Sequence, residues 1–253
     1  MQLSFVVPAY NEEAYLPACL ESILAQTGEL GDAVEITVVN NASTDHTLQV
    51  AMGFKGVRVV DEPRKGLTFA RQAGFAASTG ELIANVDSDS RLTEGWVATV
   101  LKEFAAEPKL VALSGPFIYY DMSPSQRVSV RIFYAIAYLV YAVNRYVLRA
   151  GSMVQGGNFV LRRTALEQIG GFNTAISFYG EDTDIARRMN QVGKVKFTFD
   201  LKMFSSALRL KKEGMLRIAG RYTINYFWTI FGKTPYTKEY TDIRDQADGE
   251  HKG

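Results

Sequence analysis

Cysteine and histidine are scarce in this sequence of 253 residues, which contains one cysteine and two histidines. A single cysteine, Cys19, cannot form an internal disulfide, and this usage fits a reducing compartment such as the cytosol. Two histidines, His46 and His251, are too few for a histidine-rich metal site. A Ser-His-Asp triad would need His46, and no G-x-S-x-G motif accompanies it.

Long apolar runs and an excess of one charge are also missing. The longest charge-free apolar run covers the 13 residues 132–144, whereas a membrane-spanning helix needs roughly 20. The N-terminus shows no basic leader followed by a cleavage site, so we expect neither a signal peptide nor a transmembrane helix. The formal net charge of +1 argues against nucleic acid as a partner, because bulk electrostatic binding needs a strong basic excess.

Glycine-rich phosphate-binding motifs are absent as well. No G-x-G-x-x-G follows the first predicted strand and no P-loop occurs, which argues against a dinucleotide oxidoreductase and a P-loop NTPase. A sugar nucleotidyltransferase would need a glycine-rich basic loop near the N-terminus. Residues 8–13 are instead acidic and contain no glycine.

What the sequence does contain is a regular alternation of short apolar strands and helical patterns. We predict strands at residues 3–7, 34–39, 57–60, 81–86 and 110–113, and helices at residues 12–26, 44–52, 68–77 and 94–106. This order predicts an α/β fold with a mostly parallel central sheet flanked by helices. Polar clusters at residues 9–12, 40–45 and 87–89 each follow a strand, so we expect one site at the carboxyl edge of the sheet.

The order of elements changes after residue 115. We predict there a helix at 125–148, a strand at 156–161, helices at 164–169 and 181–191, a strand at 194–199 and a helix at 214–231. These patterns divide the chain into a globular domain over residues 1–205, a basic aromatic C-terminal helix over 206–235 and a polar tail over 236–253.

Two carboxylates, Asp87 and Asp89, stand one residue apart directly after the fourth predicted strand. Magnesium and manganese prefer hard oxygen ligands, and substrate phosphates often complete their coordination. A D-x-D motif at a strand end therefore predicts a site for Mn²⁺ or Mg²⁺. The alternative is an ordinary turn whose acids are solvated.

The D-x-D motif is one of several motifs that follow one another in a fixed order along the chain. They are VPAYNE at residues 7–12, VNNASTD at 39–45, KGLTFARQAG at 65–74, DSD at 87–89 and YGED at 179–182. Over residues 3–199 the chain resembles the family 2 nucleotide-sugar glycosyltransferases, which have the GT-A fold. The resemblance implies a nucleotide-binding half at about 1–115 and an acceptor half at about 116–205.

The resemblance implies a nucleoside pocket beside the first strand. Pro8, Tyr10 and Glu12 match the motif that lines this pocket, with Tyr10 packing on the base or ribose and Glu12 accepting from ribose hydroxyls. The alternative for Glu12 is a carboxylate favoured by the helix dipole. Asn41 matches the position of a base contact where the family usually has Asp. An amide oxygen accepts the imide N–H of uracil without charge assistance, which weakens the inference to uridine.

The remaining implied roles concern the diphosphate and the acceptor. Arg71 matches an arginine that reaches the diphosphate or the nucleoside, and the alternative is a solvated surface arginine. Asp89, with Asp87, would hold the metal, and Ser88 would belong to the donor site. Asp182, the second acid of the Glu-Asp pair, would be the general base. Its alternative is a helix-terminal acid. The residues expected on the acceptor side are Gly156, Gly157 and Glu181.

The resemblance thus implies an inverting glycosyltransferase. It would move one sugar from a nucleotide-diphosphate sugar, with a UDP-sugar favoured, to an acceptor hydroxyl. Cell-envelope glycan, glycolipid or polysaccharide synthesis is the expected setting. The processive synthases of the superfamily carry a Q-x-x-R-W motif, which this chain lacks. The competing hypothesis is a catalytically inactive nucleotide-sugar-binding protein.

A basic aromatic segment at residues 209–233 raises the question of membrane contact. Such a helix is typical of a segment that lies on an anionic membrane with its aromatic side chains at the headgroup level. The alternative is a helix that packs on the domain with its basic residues solvated. We expect a cytoplasmic protein, and peripheral contact with the inner face of the membrane stays open. A glycan or a lipid-linked molecule is the expected acceptor.

Overall fold

A computed structural model describes residues 1–142, 153–176 and 178–214, together with residues 218 and 220. The strands are β1 (Leu3–Ala9), β2 (Val34–Asn40), β3 (Val57–Asp61), β4 (Leu82–Val86), β5 (Ser90–Leu92), β6 (Leu110–Ser114), β7 (Phe117–Tyr119), β8 (Asn158–Arg162), β9 (Lys194–Phe197) and β10 (Met203–Ser205). The helices are α1 (Leu16–Thr27), α2 (Thr47–Met52), α3 (Leu67–Ala77), α4 (Trp96–Ala106), α5 (Pro124–Ala142), α6 (Arg163–Gln168), α7 (Glu181–Val192) and α8 (Leu208–Glu213).

Seven strands of the described chain form a central sheet in the order β3-β2-β1-β4-β8-β6-β9. The strands from β3 to β4 pair in parallel, as do β6 and β9, whereas β8 runs antiparallel to both of its neighbours. The predicted α/β fold with a mostly parallel sheet is therefore confirmed.

Helices cover both faces of this sheet. One core layer joins the sheet to α1 and α4 through side chains such as Leu20, Trp96 and Phe104. The other joins it to α3, α6 and α7 through side chains such as Leu166 and Met189. Because the inner strands are buried on both faces, they appear in the sequence as continuous apolar runs without alternation.

A second sheet, in the order β5-β10-β7, was not predicted from the sequence. Each of its strands has only three residues, too few to show a periodic pattern. Its register aligns Ser90 with Ser205 and Tyr119. This row lies at the end of β5 next to Asp89, so the small sheet forms a wall beside the D-x-D motif.

Three helices begin later than predicted: α4 begins at Trp96 instead of residue 94, and the two larger differences lie at the edge of the sheet. The predicted helix 12–26 begins at Leu16, with Pro17 in its first turn. The carbonyl of Glu12 accepts the N–H groups of Tyr15 and Leu16, which makes a turn before the helix. The predicted helix 44–52 begins at Thr47. Residues 10–15 therefore remain free of the helix and form a loop beside β1.

The C-terminal part of the domain prediction is described only in part. Helix α8 ends before Gly214, which has a φ of 86° that favours glycine. Most of the predicted helix 214–231, all of the tail 236–253 and residues 143–148 of the predicted helix 125–148 lie outside the described residues. No helix among the described residues is long and apolar enough to cross a membrane.

Candidate active site

The polar segments after β1 and β2 meet at the carboxyl edge of the central sheet. The N–H of Asn41 donates to the carbonyl of Ala9 at 2.8 Å, and the N–H of Thr44 donates to Asn11 Oδ1 at 2.8 Å. Asn11 adopts a left-handed φ of 51°, a conformation that Asn tolerates better than most residues. The two segments therefore form one loop cluster, as their positions after parallel strands predict.

Asn41 is buried, and its side chain binds a neighbouring loop. Its amide group donates to the carbonyls of Glu62 and Arg64 at 3.0 and 2.7 Å, and its Oδ1 accepts the N–H of Gly66 at 2.8 Å. Both amide hydrogens and one oxygen lone pair thus have partners inside the protein. These bonds fix the segment 62–66, and the base contact expected of Asn41 stays a prediction.

The other expected nucleoside residues lie at the same edge. Pro8 is buried within β1, and Lys65 Nζ lies 3.9 Å from the centre of the Tyr10 ring. Glu12 is buried, and its N–H donates to Thr47 Oγ1 at 2.7 Å. Together with Asn41 these residues stand apart from the lining of the acidic cleft described next.

The D-x-D motif forms the turn between β4 and β5. Asp87 Oδ1 accepts from Arg71 Nη2 at 3.1 Å, and the N–H of Asp87 donates to the carbonyl of Gly157 at 3.3 Å. Ser88 is buried, whereas Asp87 and Asp89 are half-buried and line the cleft. The motif therefore presents two carboxylates to the cleft from a turn that is anchored on both sides.

Two glycines before β8 bring the distant acids together. Gly157 has a φ of 77°, and a side chain there would clash with the carboxylate of Asp87. A side-chain carbon placed at Gly156 would lie 3.2 Å from Glu181 Oε1 and 3.7 Å from Asp182 Oδ2. Only glycine satisfies both the backbone conformation and the close approach at position 157.

Asn158 holds this glycine segment in place. Its amide group donates to the carbonyls of Gly115 and Leu201 at 3.0 and 2.8 Å, and its Oδ1 accepts from Trp96 Nε1 at 3.0 Å. These neutral bonds tie β8 to two loops and to α4. The sequence does not reveal this role of Asn158, because its partners lie at least 43 residues away.

The Glu-Asp pair opens α7, whose N-cap Gly180 has a left-handed φ of 83°. Asp182 Oδ1 accepts the N–H of Thr183 at 2.7 Å. Asp184, two residues further along, binds Arg187 and Arg188 at 3.0 and 2.8 Å. Asp184 thus pairs with two arginines of its own helix, whereas Glu181 and Asp182 line the cleft.

Arg71 connects the two acid pairs. Only 1% of its side chain is exposed, and its guanidinium lies 5.0 Å from the centre of the Phe159 ring. One nitrogen contacts the carboxylate of Glu181 and another contacts Asp87. The expected alternative, a solvated surface arginine, is therefore wrong, because α3 directs this side chain into the protein.

Burial changes the acidity of this cluster. It raises the pKa of Glu181 to about 7, with the Asp182 charge adding to the rise and Arg71 opposing it. Burial also raises the pKa of Asp182, against the hydrogen bond from Thr183 and the charge of Arg71. The pKa of Arg71 is raised although burial acts to lower it, because Glu181 and Asp87 stabilise the cation. The cluster thus holds acids whose charge is costly and an arginine that stays protonated.

The donor set of the D-x-D motif fits a divalent cation completed by substrate. Asp87 and Asp89 supply hard oxygen donors at the mouth of the cleft. Among the described residues no cluster of three or more His, Cys, Asp or Glu side chains could hold a metal. A cation on two carboxylates would therefore need further oxygen ligands from a diphosphate and water.

Several lining residues of the cleft were not predicted from the sequence. They are Phe117, Tyr119, Gln155, Phe178, Ser205, Ser206 and Arg209. Three of them, Phe117, Tyr119 and Ser205, belong to the short strands of the second sheet, which carry no periodic signal. Arg209 was recognised only as one residue of a basic segment.

Comparison with known proteins gives a family and a fold. The profile of the family described as "Glycosyl transferase family 2" matches residues 4–170, and that of the "N-terminal domain of galactosyltransferase" matches residues 140–218. Glycosyltransferase GlyA of Streptococcus pneumoniae serotype 4 is 30% identical over 129 residues, covering 49% of this chain and 18% of GlyA. Hyaluronan synthase of Pasteurella multocida is 25% identical over 274 residues, covering 97% and 25%. The chain thus spans a quarter or less of the length of these relatives.

Solved structures share the architecture. A mannosyltransferase from Pyrobaculum calidifontis, PcManGT, in complex with GDP-Man and Mn²⁺, matches with a TM-score of 0.68 and 22% identity over 92% of this chain and 63% of its own. Glucosyl-3-phosphoglycerate synthase from Mycobacterium tuberculosis, in complex with Mn²⁺, UDP-Glc and phosphoglyceric acid, matches with a TM-score of 0.60 and 21% identity over 91% and 80%. On the fold, the ordered motifs and the family profile, the chain belongs to glycosyl transferase family 2 and has the GT-A fold.

Proposed function

We propose that this protein is an inverting glycosyltransferase that transfers a single sugar from a nucleotide-diphosphate sugar to an acceptor hydroxyl. The observation that carries the proposal is the shared cleft of the acid pair after β4 and the acid pair that opens α7, with Gly156 and Gly157 between them. One pair would serve the leaving diphosphate and the other the incoming hydroxyl. Membership of the family supports transfer chemistry.

Asp182 is the proposed general base. Its carboxylate lines the cleft on the side of Gly156, and burial raises its pKa toward the range in which a base works well near neutral pH. The acceptor oxygen attacks the anomeric carbon while the bond from that carbon to the diphosphate oxygen breaks, and the hydroxyl proton passes to Asp182. Attack opposite the leaving group inverts the centre, so an α-linked donor gives a β-linked product.

Asp89 and Asp87 would hold Mn²⁺ or Mg²⁺ with the diphosphate, and Ser88 lies between them. When bound, the metal neutralises negative charge that develops on the leaving diphosphate. The Mn²⁺ in the solved structures of PcManGT and of glucosyl-3-phosphoglycerate synthase supports this choice of ion.

Arg71 is proposed to act mainly through the two acids that it contacts. The family resemblance implies that it reaches the diphosphate or the nucleoside, but its burial and its contacts with Asp87 and Glu181 support a positioning role. It would hold Asp87 toward the donor and Glu181 toward the acceptor at the same time. Glu181, Gly156 and Gly157 then shape the acceptor side.

The proposed donor is a UDP-sugar, and a GDP-sugar is the competing candidate. The loop cluster of Tyr10, Glu12 and Asn41 supports a nucleoside pocket beside β1. The solved relatives hold UDP-Glc in one case and GDP-Man in another. A donor screen therefore has to include both bases.

The proposed setting is cytoplasmic synthesis of a cell-envelope glycan, glycolipid or polysaccharide at the inner face of the membrane. Helix α5 supports peripheral membrane contact because Val128, Ile132 and Leu139 expose apolar side chains beside Arg131. Binding to anionic vesicles should be strongest at low salt, where charge attraction is least screened. If the protein does not bind such vesicles at low salt, this part of the proposal is wrong.

The decisive experiment is a screen of UDP- and GDP-sugars with Mn²⁺ or Mg²⁺. The release of nucleoside diphosphate is the measured quantity. We expect metal-dependent release that Asp182→Asn lowers by about 10²- to 10⁴-fold. Asp32→Asn, an identical change on an exposed turn, should release nucleoside diphosphate at the wild-type rate. Full turnover by Asp182→Asn would remove the base assignment.

The competing hypothesis is a nucleotide-sugar-binding protein without activity. It predicts that donor binding survives and that no donor or acceptor combination gives turnover. The Glu-Asp pair that faces the D-x-D motif favours the enzyme, because a binding protein has no need of a base opposite the diphosphate.

A further inference from the structure

An apolar groove lies between β7, α5 and the loop that joins β9 to β10, with a volume of about 330 Å³. Its apolar walls are Pro116, Phe117, Ile118, Tyr119, Val130, Tyr134 and Phe199. Three basic side chains, Arg127, Arg131 and Lys202, complete the lining, which contains no acidic residue among those described.

The sequence of α5 explains why this groove is lined by both apolar and basic side chains. Arg127, Val130, Arg131 and Tyr134 follow one another at helical spacings of three, one and three residues, which places them on one face. Val130 and Tyr134 are buried in this face, whereas Arg131 is exposed. The opposite wall includes Phe199, a large aromatic side chain that is 39% exposed.

The groove and the acidic cleft share part of a wall. Phe117 and Tyr119, both on β7 of the second sheet, line both. The hydroxyl of Tyr134 accepts the N–H of Phe117 at 3.2 Å and donates to Gln155 Oε1 at 2.9 Å. Gln155 in turn lines the cleft. A molecule in the groove would therefore reach the cleft at its acceptor side.

The charges of the groove favour an anionic ligand. Arg131 and Lys202 are exposed and have no ion pair with any described residue. Arg127 donates through Nη2 to the carbonyl of Tyr120 at 2.7 Å, and its buried Nε has no hydrogen-bond partner in the described part of the chain. Apolar walls beside unpaired cations match an amphiphile that joins a hydrocarbon chain to an anionic group.

We propose that the apolar groove binds the hydrocarbon chain of a lipid acceptor, whose anionic group lies against Arg131 and Lys202 and whose hydroxyl enters the acidic cleft. This inference rests on the proposed function and names the acceptor class for it. The groove removes the apolar chain from water, the cations hold the headgroup, and the shared wall at Phe117 and Tyr119 directs the reacting end toward Asp182.

Calorimetric titration with decyl phosphate below its micelle concentration tests the groove without any donor. The variants are Phe199→Asp, which puts a charge on an exposed wall, and the control Met52→Asp, which puts the same charge at a 69%-exposed side chain of α2 outside the groove. We expect Phe199→Asp to weaken binding by roughly tenfold or more, since a carboxylate would meet the chain. Met52→Asp should bind as the wild type does. Thermal unfolding checks that both variants fold.

Two further arms identify what is recognised. Lys202→Gln should weaken decyl phosphate but not neutral decyl maltoside, and inorganic phosphate alone should bind far more weakly than decyl phosphate. Absence of decyl phosphate binding, equal losses in Phe199→Asp and Met52→Asp, or equal binding of inorganic phosphate would each overturn the proposal. The titration contains no nucleotide sugar. A failed titration would therefore contradict the groove proposal alone, and the nucleoside diphosphate assay would still test the proposed transfer.

Discussion

The two sides of the candidate active site are held together by different forces. On the nucleoside side, Asn41 and Asn11 bind backbone groups through neutral hydrogen bonds. On the acceptor side, a buried arginine joins Asp87 to Glu181. Neutral bonds of this kind contribute about 1 kcal/mol each, whereas a buried charge left without its partner costs several. The proposed nucleoside side is thus a pre-formed loop cluster, and the proposed acceptor side is a cluster of acids around one buried arginine.

The comparison has a consequence for chemistry. Neutral bonds change little over the physiological pH range, so the nucleoside pocket should keep its shape. The acceptor side contains Glu181, whose pKa of about 7 makes its charge sensitive to that range. A change of pH or the loss of a charged side chain should therefore affect the side that contains Glu181 more than the side that contains Asn41.

The largest effect is expected from Arg71→Met. The change leaves Asp87 and Glu181 without their shared cation in a buried place, which should lower the free energy of unfolding by about 3–5 kcal/mol. Urea denaturation measures the loss. Lys194→Met is the control, because Lys194 pairs with Glu107 through side chains that are 43% and 34% exposed, so its loss should change stability little. Equal losses would show that the buried pair is no more important than a surface pair.

A smaller effect, which distinguishes Gly157→Ala from its control only in activity, is expected at the glycine beside Asp87. The methyl group would clash with the carboxylate of Asp87 and displace it, so we expect roughly a hundredfold loss in kcat/KM, the scale that misplaced groups cost. Gly170→Ala is the matched control, since Gly170 has a φ of 79° but open space around it. Both variants should lose similar stability from backbone strain. Loss of activity in both would mean that strain, not Asp87, is responsible.

The nucleoside side of the molecule could be predicted from sequence far better than the acceptor side. Parallel strands such as β1 and β4 are continuous, mainly apolar runs of seven and five residues, and polar clusters after them reveal the carboxyl edge. The acceptor side depends on three-residue strands and on contacts such as Gly156 with Glu181, 25 positions apart. Such contacts leave no local pattern. Motif order alone suggested that Asp87 and Asp182 belong to one site.

The burial of Arg71 shows what could not be predicted from the sequence. Residues 65–74 show that this arginine lies on a helix, but not which way it points. The direction follows from Gly74, where a side chain would collide with Val6, so α3 lies close against β1. Close packing of this helix turns Arg71 toward Asp87, and that orientation exists only in the folded chain.

A third prediction concerns pH. Because the folded pKa of Glu181 is raised from 4.5 to about 7, the folded state binds the proton more tightly than the unfolded state between these values. Its contribution to stability is present below pH 4.5 and is lost as the pH rises through 7. Glu181→Gln mimics the protonated acid, so it should match the wild type at pH 5 and exceed it at pH 8, by on the order of 2 kcal/mol.

Denaturation at the two pH values measures this difference. Glu167→Gln provides the control, because Glu167 is exposed and its one ion pair within the described part of the chain is with Arg163 on its own helix. That variant should show the pH dependence of the wild type. If Glu181→Gln were instead less stable than the wild type at pH 8, the ion pair with Arg71 would outweigh the burial of the charge.

The smallest effect on activity is expected from Asn41→Asp, and it decides how the nucleoside side works. If Asn41 mainly fixes the segment 62–66, the change removes two donors and leaves the carbonyls of Glu62 and Arg64 facing a carboxylate. The free energy of unfolding should then fall by several kcal/mol, because the new charge is buried, and KM for the donor should rise. If Asn41 instead contacts a uracil imide, the carboxylate strengthens that bond and KM for a UDP-sugar should fall. Donor titration of both proteins separates these results, since the two hypotheses predict opposite signs.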